Sequence, residues 1–122
     1  MPTRQVLDAF IAQVVSGDHV GAIADWYVPD AWMQENQTEP RVGREALMAS
    51  EAKVLARMDK VETELVTAPL VDGDRVVIRW RFTFTPKAGG TAMIMEEVAW
   101  QTWDGDKVVT ETFFYDPAQR GG

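Results

Sequence analysis

Two glutamates stand out because apolar residues surround each of them. Glu35 ends the run "DAWMQE", immediately before the polar turn "NQTEP". Glu51 lies, at 100° per residue, inside the apolar arc of a helix predicted over residues 43–58. Burying an unpaired charge is costly. Each carboxyl is therefore either solvated at the edge of the core or placed to accept and donate protons in a cavity.

Helices and strands must position these groups, and the periodicity indicates both. The segment "PTRQVLDAFIAQVVSGD" has helical spacing, and Gly17 can end that helix in the left-handed conformation. Asp18 can cap a second helix over about residues 19–27, which Pro29 terminates. A short extended segment ending at Glu35 separates it from the third helix.

After the third helix the spacing changes from helical to alternating. Four segments predict strands joined by tight Asp-Gly or Gly-Gly turns. Their sequences are "KVETELVTAPLV", "DRVVIRWRFTFT", "TAMIMEEVAWQTW" and "DKVVTETFFYD". Three helices, a short strand and a four-strand meander predict an α+β fold. On the second of these strands, Arg79 and Arg81 alternate with a run of large apolar side chains, so the apolar face should point toward the helices.

Composition excludes several classes of function. A length of 122 residues predicts one domain spanning residues 1–122, of which 118–122 are expected to form a flexible tail. The net charge of -7 argues against nucleic-acid binding, and no apolar run approaches the ~20 residues of a membrane-spanning helix. The amino terminus lacks a secretion signal, so we expect a cytoplasmic protein.

Metal and thiol chemistry are not expected either. With no cysteine, thiolate nucleophiles and cysteine metal sites are excluded. A metal site would need all-oxygen ligands, and no loop has that spacing, so no metal or cofactor is predicted. His19 is the only histidine, and its place at the start of the second helix predicts a surface residue.

The order of elements resembles the nuclear transport factor 2-like superfamily, which includes ketosteroid isomerases and SnoaL-like polyketide cyclases. The resemblance covers residues 6–117. Its most specific parts are "SGD" between two helices, "WYVPDAWMQENQTEPRVG", and the closing hairpin "WDGDKVVTETFFYDP". It implies a cone-shaped, strongly curved antiparallel sheet wrapped around three N-terminal helices. The outer face, with Val98 and Trp100, would then suit a homodimer.

The same resemblance implies roles for particular residues. Glu35 occupies the position of the isomerases' general base, and Glu51 aligns with a supporting tyrosine. Phe10 aligns with the tyrosine that donates to the oxyanion, and Val98 or Ala99 aligns with its protonated aspartate partner. Because none of these three can donate a side-chain hydrogen bond, authentic steroid isomerisation is not expected.

The expected site is an apolar cone with several carboxyls, of which at least one should have a raised pKa. The candidate catalytic residues are Glu35, Glu51, Glu97, Glu111 and Tyr115. The candidate ligand-binding residues are Trp26, Tyr27, Met33, Met48, Trp80, Phe82, Gln101, Trp103 and Phe113. We expect a carboxylate-based isomerase, cyclase or dehydratase that acts on a small apolar carbonyl compound. The alternatives are a non-catalytic binding module and a dimeric scaffold of the same fold.

Overall fold

The chain folds into three helices packed on one face of a seven-stranded sheet, in a computed structural model that describes residues 1–120. The α-helices are α1 (Arg4–Val15), α2 (His19–Trp26) and α3 (Arg44–Ala56). The strands are β1 (Tyr27–Glu35), β2 (Arg41–Val42), β3 (Met58–Leu65), β4 (Leu70–Asp72), β5 (Arg75–Pro86), β6 (Met93–Asp104) and β7 (Lys107–Phe114). A 3-10 turn, Pro117–Arg120, follows β7. The predicted α+β class is confirmed.

The sheet order is β2-β1-β7-β6-β5-β3, with β4 pairing beside β3 on β5. Every pairing is antiparallel except β1 with β7, which run parallel with Glu35 opposite Phe113. The sheet is therefore mixed rather than wholly antiparallel as expected. Alternation reports which face of a strand is buried, but it does not report which strand lies beside it.

Helix contacts show that the sheet curves. The helix α3 contacts both β1 and β3, although β7, β6 and β5 lie between those two strands in the sheet. One helix can touch both only if the sheet bends around it. This bending gives the cone and encloses space between the helices and the concave face.

The concave face is apolar along β5, as predicted. Val76, Ile78, Trp80 and Phe82 on β5 are all buried. Arg79 and Arg81 point to the convex face, where both pair with Glu96 at 2.9 and 2.6 Å.

Local signals before the third helix behave largely as predicted. Gly17 has φ +96° and ends α1, and the Asp18 side chain accepts a hydrogen bond from the backbone of Gly21 at 3.1 Å. Pro29, however, lies inside β1 rather than ending α2, at a register irregularity between Tyr27 and Trp32. A bulge tolerates proline because no ladder hydrogen bond is required there.

The first strand of the predicted meander is two strands. β3 ends at Leu65 and β4 begins at Leu70, with Pro69 between them. Both strands pair with β5, in consecutive registers. Because proline has no backbone N–H to donate, the ladder is interrupted there and resumes after it.

The carboxyl-terminal turn, Pro117–Arg120, contacts β6 and Glu35, and the flexible tail expected over 118–122 stays a prediction. The Gln119 side chain accepts from the backbone N–H of Glu96 and donates to its carbonyl, at 2.9 and 3.0 Å. Arg120 forms an ion pair with Glu35. Residues 121–122 lie outside the described part of the chain.

The convex face carries exposed apolar side chains at Ile94, Trp100 and Phe114. The outward orientation predicted for Trp100 is confirmed, since 47% of it is exposed. Within residues 1–120, no helix combines the length and apolar character needed to span a membrane.

Candidate active site

A cavity of about 270 Å³ lies between the three helices and the concave face of the sheet. Its apolar lining residues are Phe10, Val14, Ala22, Ile23, Met33, Leu47, Val54, Trp80, Phe82, Phe84, Met95 and Phe113. Its polar lining residues are His19, Tyr27, Glu35, Arg41, Ser50, Glu51, Glu97, Glu111 and Arg120. The volume is close to the lower end of small-molecule sites, about 300–1,000 Å³. The cavity therefore suits a compact ligand.

The floor of the cavity is Glu111, which is 2% exposed and projects from β7. The Tyr27 hydroxyl donates to one of its carboxyl oxygens, and the Gln101 amide donates to the other at 2.6 Å. Gln101 in turn accepts from the indole N–H of Trp103 at 2.9 Å. Every polar group in this chain of contacts thus has a partner, as buried groups require.

Burial raises the pKa of Glu111 to about 7, although the hydrogen bonds from Tyr27 and Gln101 oppose that shift. Burial and the adjacent Glu111 charge raise the pKa of Tyr27 well above its ordinary value. Tyr27 consequently remains a protonated donor throughout the neutral range, whereas Glu111 changes its protonation within it.

The mouth of the cavity is charged and centred on Glu35, at the end of β1. Oε1 of Glu35 accepts from the Tyr115 hydroxyl at 3.0 Å and from Arg120 at 2.5 Å. Its other oxygen, Oε2, is 3.7 Å from Arg41. Burial and the hydrogen bond to Glu35 raise the pKa of Tyr115, which keeps the phenol protonated as a donor.

Glu97 projects into the same cavity from β6, directly opposite Trp80 on β5. Burial is the main cause that raises its pKa to about 7, and the Glu35 charge adds to the shift while Arg120 opposes it. No hydrogen bond within residues 1–120 contributes to that pKa. Glu97 therefore presents a carboxyl that is free to exchange a proton with a ligand near neutral pH.

The helical wall of the cavity carries Glu51 on α3 and His19 at the start of α2. His19 is only 8% exposed, so the prediction of a surface residue is wrong. Its ring contacts Glu51 at 3.4 Å and the hydroxyl of Thr63 at 2.9 Å. A signal was present in the sequence, because His19 shares one helical face with Ala22 and Ile23, which are buried.

Nearly all of the predicted catalytic residues converge. Glu35, Glu51, Glu97 and Glu111 line one cavity, and Tyr115 touches it through Glu35. Among the predicted ligand-binding residues, Tyr27, Met33, Trp80, Phe82 and Phe113 line it as well.

The other four predicted ligand-binding residues lie behind the cavity wall. Trp103 packs edge-on against Phe10, and Gln101 is fully buried beneath Glu111. Met48 packs beside the core. Trp26 donates to Gln13 at 2.7 Å and has the Lys107 ammonium over its ring, so it faces away from the cavity. Alternation and helical spacing identify the buried face of a strand or helix. They do not show whether a buried side chain lines the cavity or packs in the core behind its wall.

Two arginines of the mouth were not predicted. Arg41 lies on the short strand β2 and Arg120 in the carboxyl-terminal turn, both outside the regular elements that periodicity detects. Phe10, aligned with a donor tyrosine, does line the cavity but offers only an apolar surface. No group of three or more His, Asp or Glu side chains in the described part of the chain is arranged to hold a metal ion.

The family model of the SnoaL-like domain matches residues 7–111, which is most of the chain. The protein belongs to the SnoaL-like domain family. No functionally curated protein matches it significantly in sequence.

Solved structures of this SnoaL-like protein's relatives share its fold. A candidate SnoaL-like polyketide cyclase from Mesorhizobium loti is 27% identical, with a TM-score of 0.76 over 91% of this chain and 97% of that one. A hypothetical protein with a ketosteroid isomerase-like fold from Catenulispora acidiphila, in complex with trimethylamine, is 18% identical, with a TM-score of 0.78 over 98% and 94%. TerC, co-crystallised with polyporic acid, is 16% identical, with a TM-score of 0.78 over 96% and 93%.

Proposed function

We propose that this SnoaL-like protein catalyses proton transfer next to the carbonyl group of a small apolar molecule, in an isomerisation, cyclisation or dehydration. The observation that carries the proposal is the pairing of two unlike carboxyls at one end of an apolar cavity. Glu35 is held by a cation and a phenol, whereas Glu97 has a pKa of about 7 and no hydrogen-bond or ion-pair partner among residues 1–120.

The two carboxyls divide acid and base chemistry between them. Oε2 of Glu35, which is 3.7 Å from Arg41 and accepts no hydrogen bond within residues 1–120, is the oxygen open to take a proton from the carbon next to the carbonyl. Protonated Glu97 donates to the carbonyl oxygen as negative charge develops there, which gives a neutral enol. Pairs of carboxyls whose environments separate their protonation in this way typically act as base and acid.

Phe10 and Ala99 cannot donate a side-chain hydrogen bond to an oxyanion. Protonated Glu97 supplies that hydrogen bond instead. A neutral carboxylic acid in an apolar site stabilises a developing oxyanion by hydrogen bonding, as a tyrosine would. Arg41 and Arg120 add positive charge at the same end of the cavity. The relationship to a candidate polyketide cyclase and to TerC, which was crystallised with polyporic acid, supports a carbonyl-containing ligand.

Hydrogen–deuterium exchange tests the proposal without requiring the natural substrate. In D2O, 2-tetralone should exchange its protons next to the carbonyl faster with the protein than with buffer alone, as measured by NMR. Substituting Glu97→Gln should lower the protein-dependent rate by about 100-fold, the usual contribution of a general acid or base. Glu35→Gln should lower it to a similar extent.

A matched control is Glu62→Gln, which changes an exposed glutamate on β3 and should leave the rate unchanged. Protein-dependent exchange that persists in both the Glu35 and Glu97 variants would refute the acid–base assignment. The alternative function is a binding module, whose ligand would stabilise the protein against heat and be recovered with no deuterium incorporated.

We also propose that the chain forms a homodimer through its convex face. The exposed side chains of Ile94, Trp100 and Phe114 support this, since they come from adjacent strands of the same face. Burying them against a second copy would remove apolar area from water.

A further inference from the structure

The cavity carries a polar group that the proposed proton transfer does not use. Glu51 faces it from α3, on the helical wall, whereas the proposed acid and base project from β1 and β6. Glu51 is bound on one side by His19, and that ring is bound on its other side by Thr63. Three elements, α2, α3 and β3, thus meet at a single imidazole.

The contacts define how the ring is oriented. A carboxylate oxygen accepts a hydrogen bond, so the contact with Glu51 favours the tautomer of His19 that carries its proton on Nδ1. In the neutral ring the other nitrogen, Nε2, then accepts from the Thr63 hydroxyl at 2.9 Å. The ring of Phe82 packs edge-on against the imidazole at 5.7 Å and restricts its rotation.

Only one of the two carboxyl oxygens of Glu51 has a hydrogen-bond partner within residues 1–120. His19 contacts Oε1 of Glu51 at 3.4 Å, and no other hydrogen bond or ion pair to Glu51 is formed within residues 1–120. Oε2 is therefore available as an acceptor in a cavity whose walls are mainly aromatic and aliphatic. An acceptor that is fixed in position and surrounded by apolar groups discriminates strongly for a ligand that can donate to it.

We propose that Glu51 is a specificity residue, which accepts a hydrogen bond from a hydroxyl or amine of the ligand at the helical wall of the cavity, and that His19 and Thr63 are positioning residues for it. The inference deepens the proposed function by narrowing its substrate class. The ligand is then an apolar carbonyl compound that also carries a hydrogen-bond donor, so that the cavity recognises two polar groups of the molecule.

Paired ligands test this by binding alone. We would titrate the protein with 6-hydroxy-2-tetralone and 6-methoxy-2-tetralone in a calorimeter, because only the first carries a donor. The hydroxy compound should bind about tenfold more tightly, as expected for a hydrogen bond to a charged group. Glu51→Leu should remove this preference, so that the hydroxy and methoxy compounds bind with equal affinity.

Two substitutions of His19 separate positioning from packing. Asparagine carries its amide at the place of Nδ1 and can still donate to Glu51, whereas glutamine carries its amide at the place of Nε2 and reaches Thr63 instead. His19→Asn should therefore retain most of the preference, and His19→Gln should lose it. If residue 19 acts only through packing, the His19→Asn and His19→Gln variants should prefer the hydroxy compound over the methoxy compound to the same extent.

The free protein provides a second readout, because His19 is its only histidine. A long-range proton–nitrogen NMR spectrum at pH 8 should show the proton on Nδ1, and Thr63→Val should shift the ring toward a mixture of tautomers. A ring protonated on Nε2 in the wild-type protein would overturn the positioning role.

The outcomes also separate this inference from the proposed function. Exchange of 2-tetralone without a preference for the hydroxy compound refutes the role of Glu51 and leaves the acid–base proposal standing. Tighter binding of the hydroxy compound without exchange of 2-tetralone refutes the acid–base proposal and leaves the role of Glu51 standing. Failure of both tetralones to bind refutes both.

Discussion

The floor and the mouth of the cavity each contain a carboxyl with a pKa of about 7, but they reach that value differently. At the floor, burial is the main cause that raises the pKa of Glu111, the Glu51 charge adds to the shift, and two hydrogen bonds oppose it. At the mouth, burial and the charge of Glu35 raise the pKa of Glu97, while Arg120 lowers it. The floor is a closed network of neutral donors, and the mouth is a group of charges open to the ligand.

The difference indicates different roles. A carboxyl with both oxygens occupied by protein donors stabilises the fold and shapes the cavity, because moving its proton disturbs every partner. A carboxyl without a protein partner can change its protonation at little structural cost. Similar pKa values therefore accompany a carboxyl bound by two protein donors at the floor and the carboxyl that we propose as the acid at the mouth.

The largest effect is expected from removing the floor carboxyl. Glu111→Ala leaves the Tyr27 hydroxyl and the Gln101 amide without their acceptor and opens a void, so the free energy of unfolding should fall by about 4 kcal/mol. Urea denaturation measures this. Glu97→Ala is the matched control at the mouth, and at pH 4, where the Glu97 carboxyl is neutral, it should cost less than about 1 kcal/mol, because no donor is left unpaired. Equal losses would remove the distinction between the two regions.

A smaller effect, dependent on pH, is expected from Glu97→Gln. Because the folded pKa of Glu97 lies above its unfolded value, the folded state binds more protons between about pH 4.5 and 7, and stability falls as pH rises through that window. The substitution should have no effect at pH 4 and stabilise the protein by up to about 3 kcal/mol at pH 8. Urea denaturation at both values tests this, and a gain that does not depend on pH would contradict it.

Arg120→Gln should change the mouth with little effect on stability. The ion pair with Glu35 is half-exposed, so its loss should cost less than about 1 kcal/mol. Because Arg120 lowers the pKa of Glu97, its removal should raise that pKa and move the pH profile of 2-tetralone exchange upward. Arg120→Lys keeps the charge and should restore the profile. A profile that is the same in all three proteins would place Arg120 outside the site.

Trp100→Glu should affect neither region, since Trp100 lies on the convex face. It places a charge in the proposed dimer contact, so sedimentation should show a monomer where the wild-type protein is a dimer. Exchange activity and stability per subunit should change least of all the variants described. A wild-type protein that already sediments as a monomer would refute the proposed dimer.

Much of the fold and part of the site were predictable because they depend on short-range patterns. The alternation along β5 predicted its buried face, and Asp18 and Gly17 predicted a helix boundary. The family resemblance placed Glu35 at a position that does line the cavity. His19 was assigned to the surface because a helix-start position alone does not show which face of the helix is buried.

The sequence by itself determined the elements, the apolar faces and the excess of carboxyls, because these follow from residue type and spacing along the chain. Only the tertiary structure decided which carboxyls have partners. It brought the Tyr27 hydroxyl and the Gln101 amide to Glu111, Arg120 to Glu35, and His19 to Glu51, across separations of up to 85 residues. The protonation of a carboxyl depends on its burial and on the charges within a few ångströms, which the folded chain alone brings together.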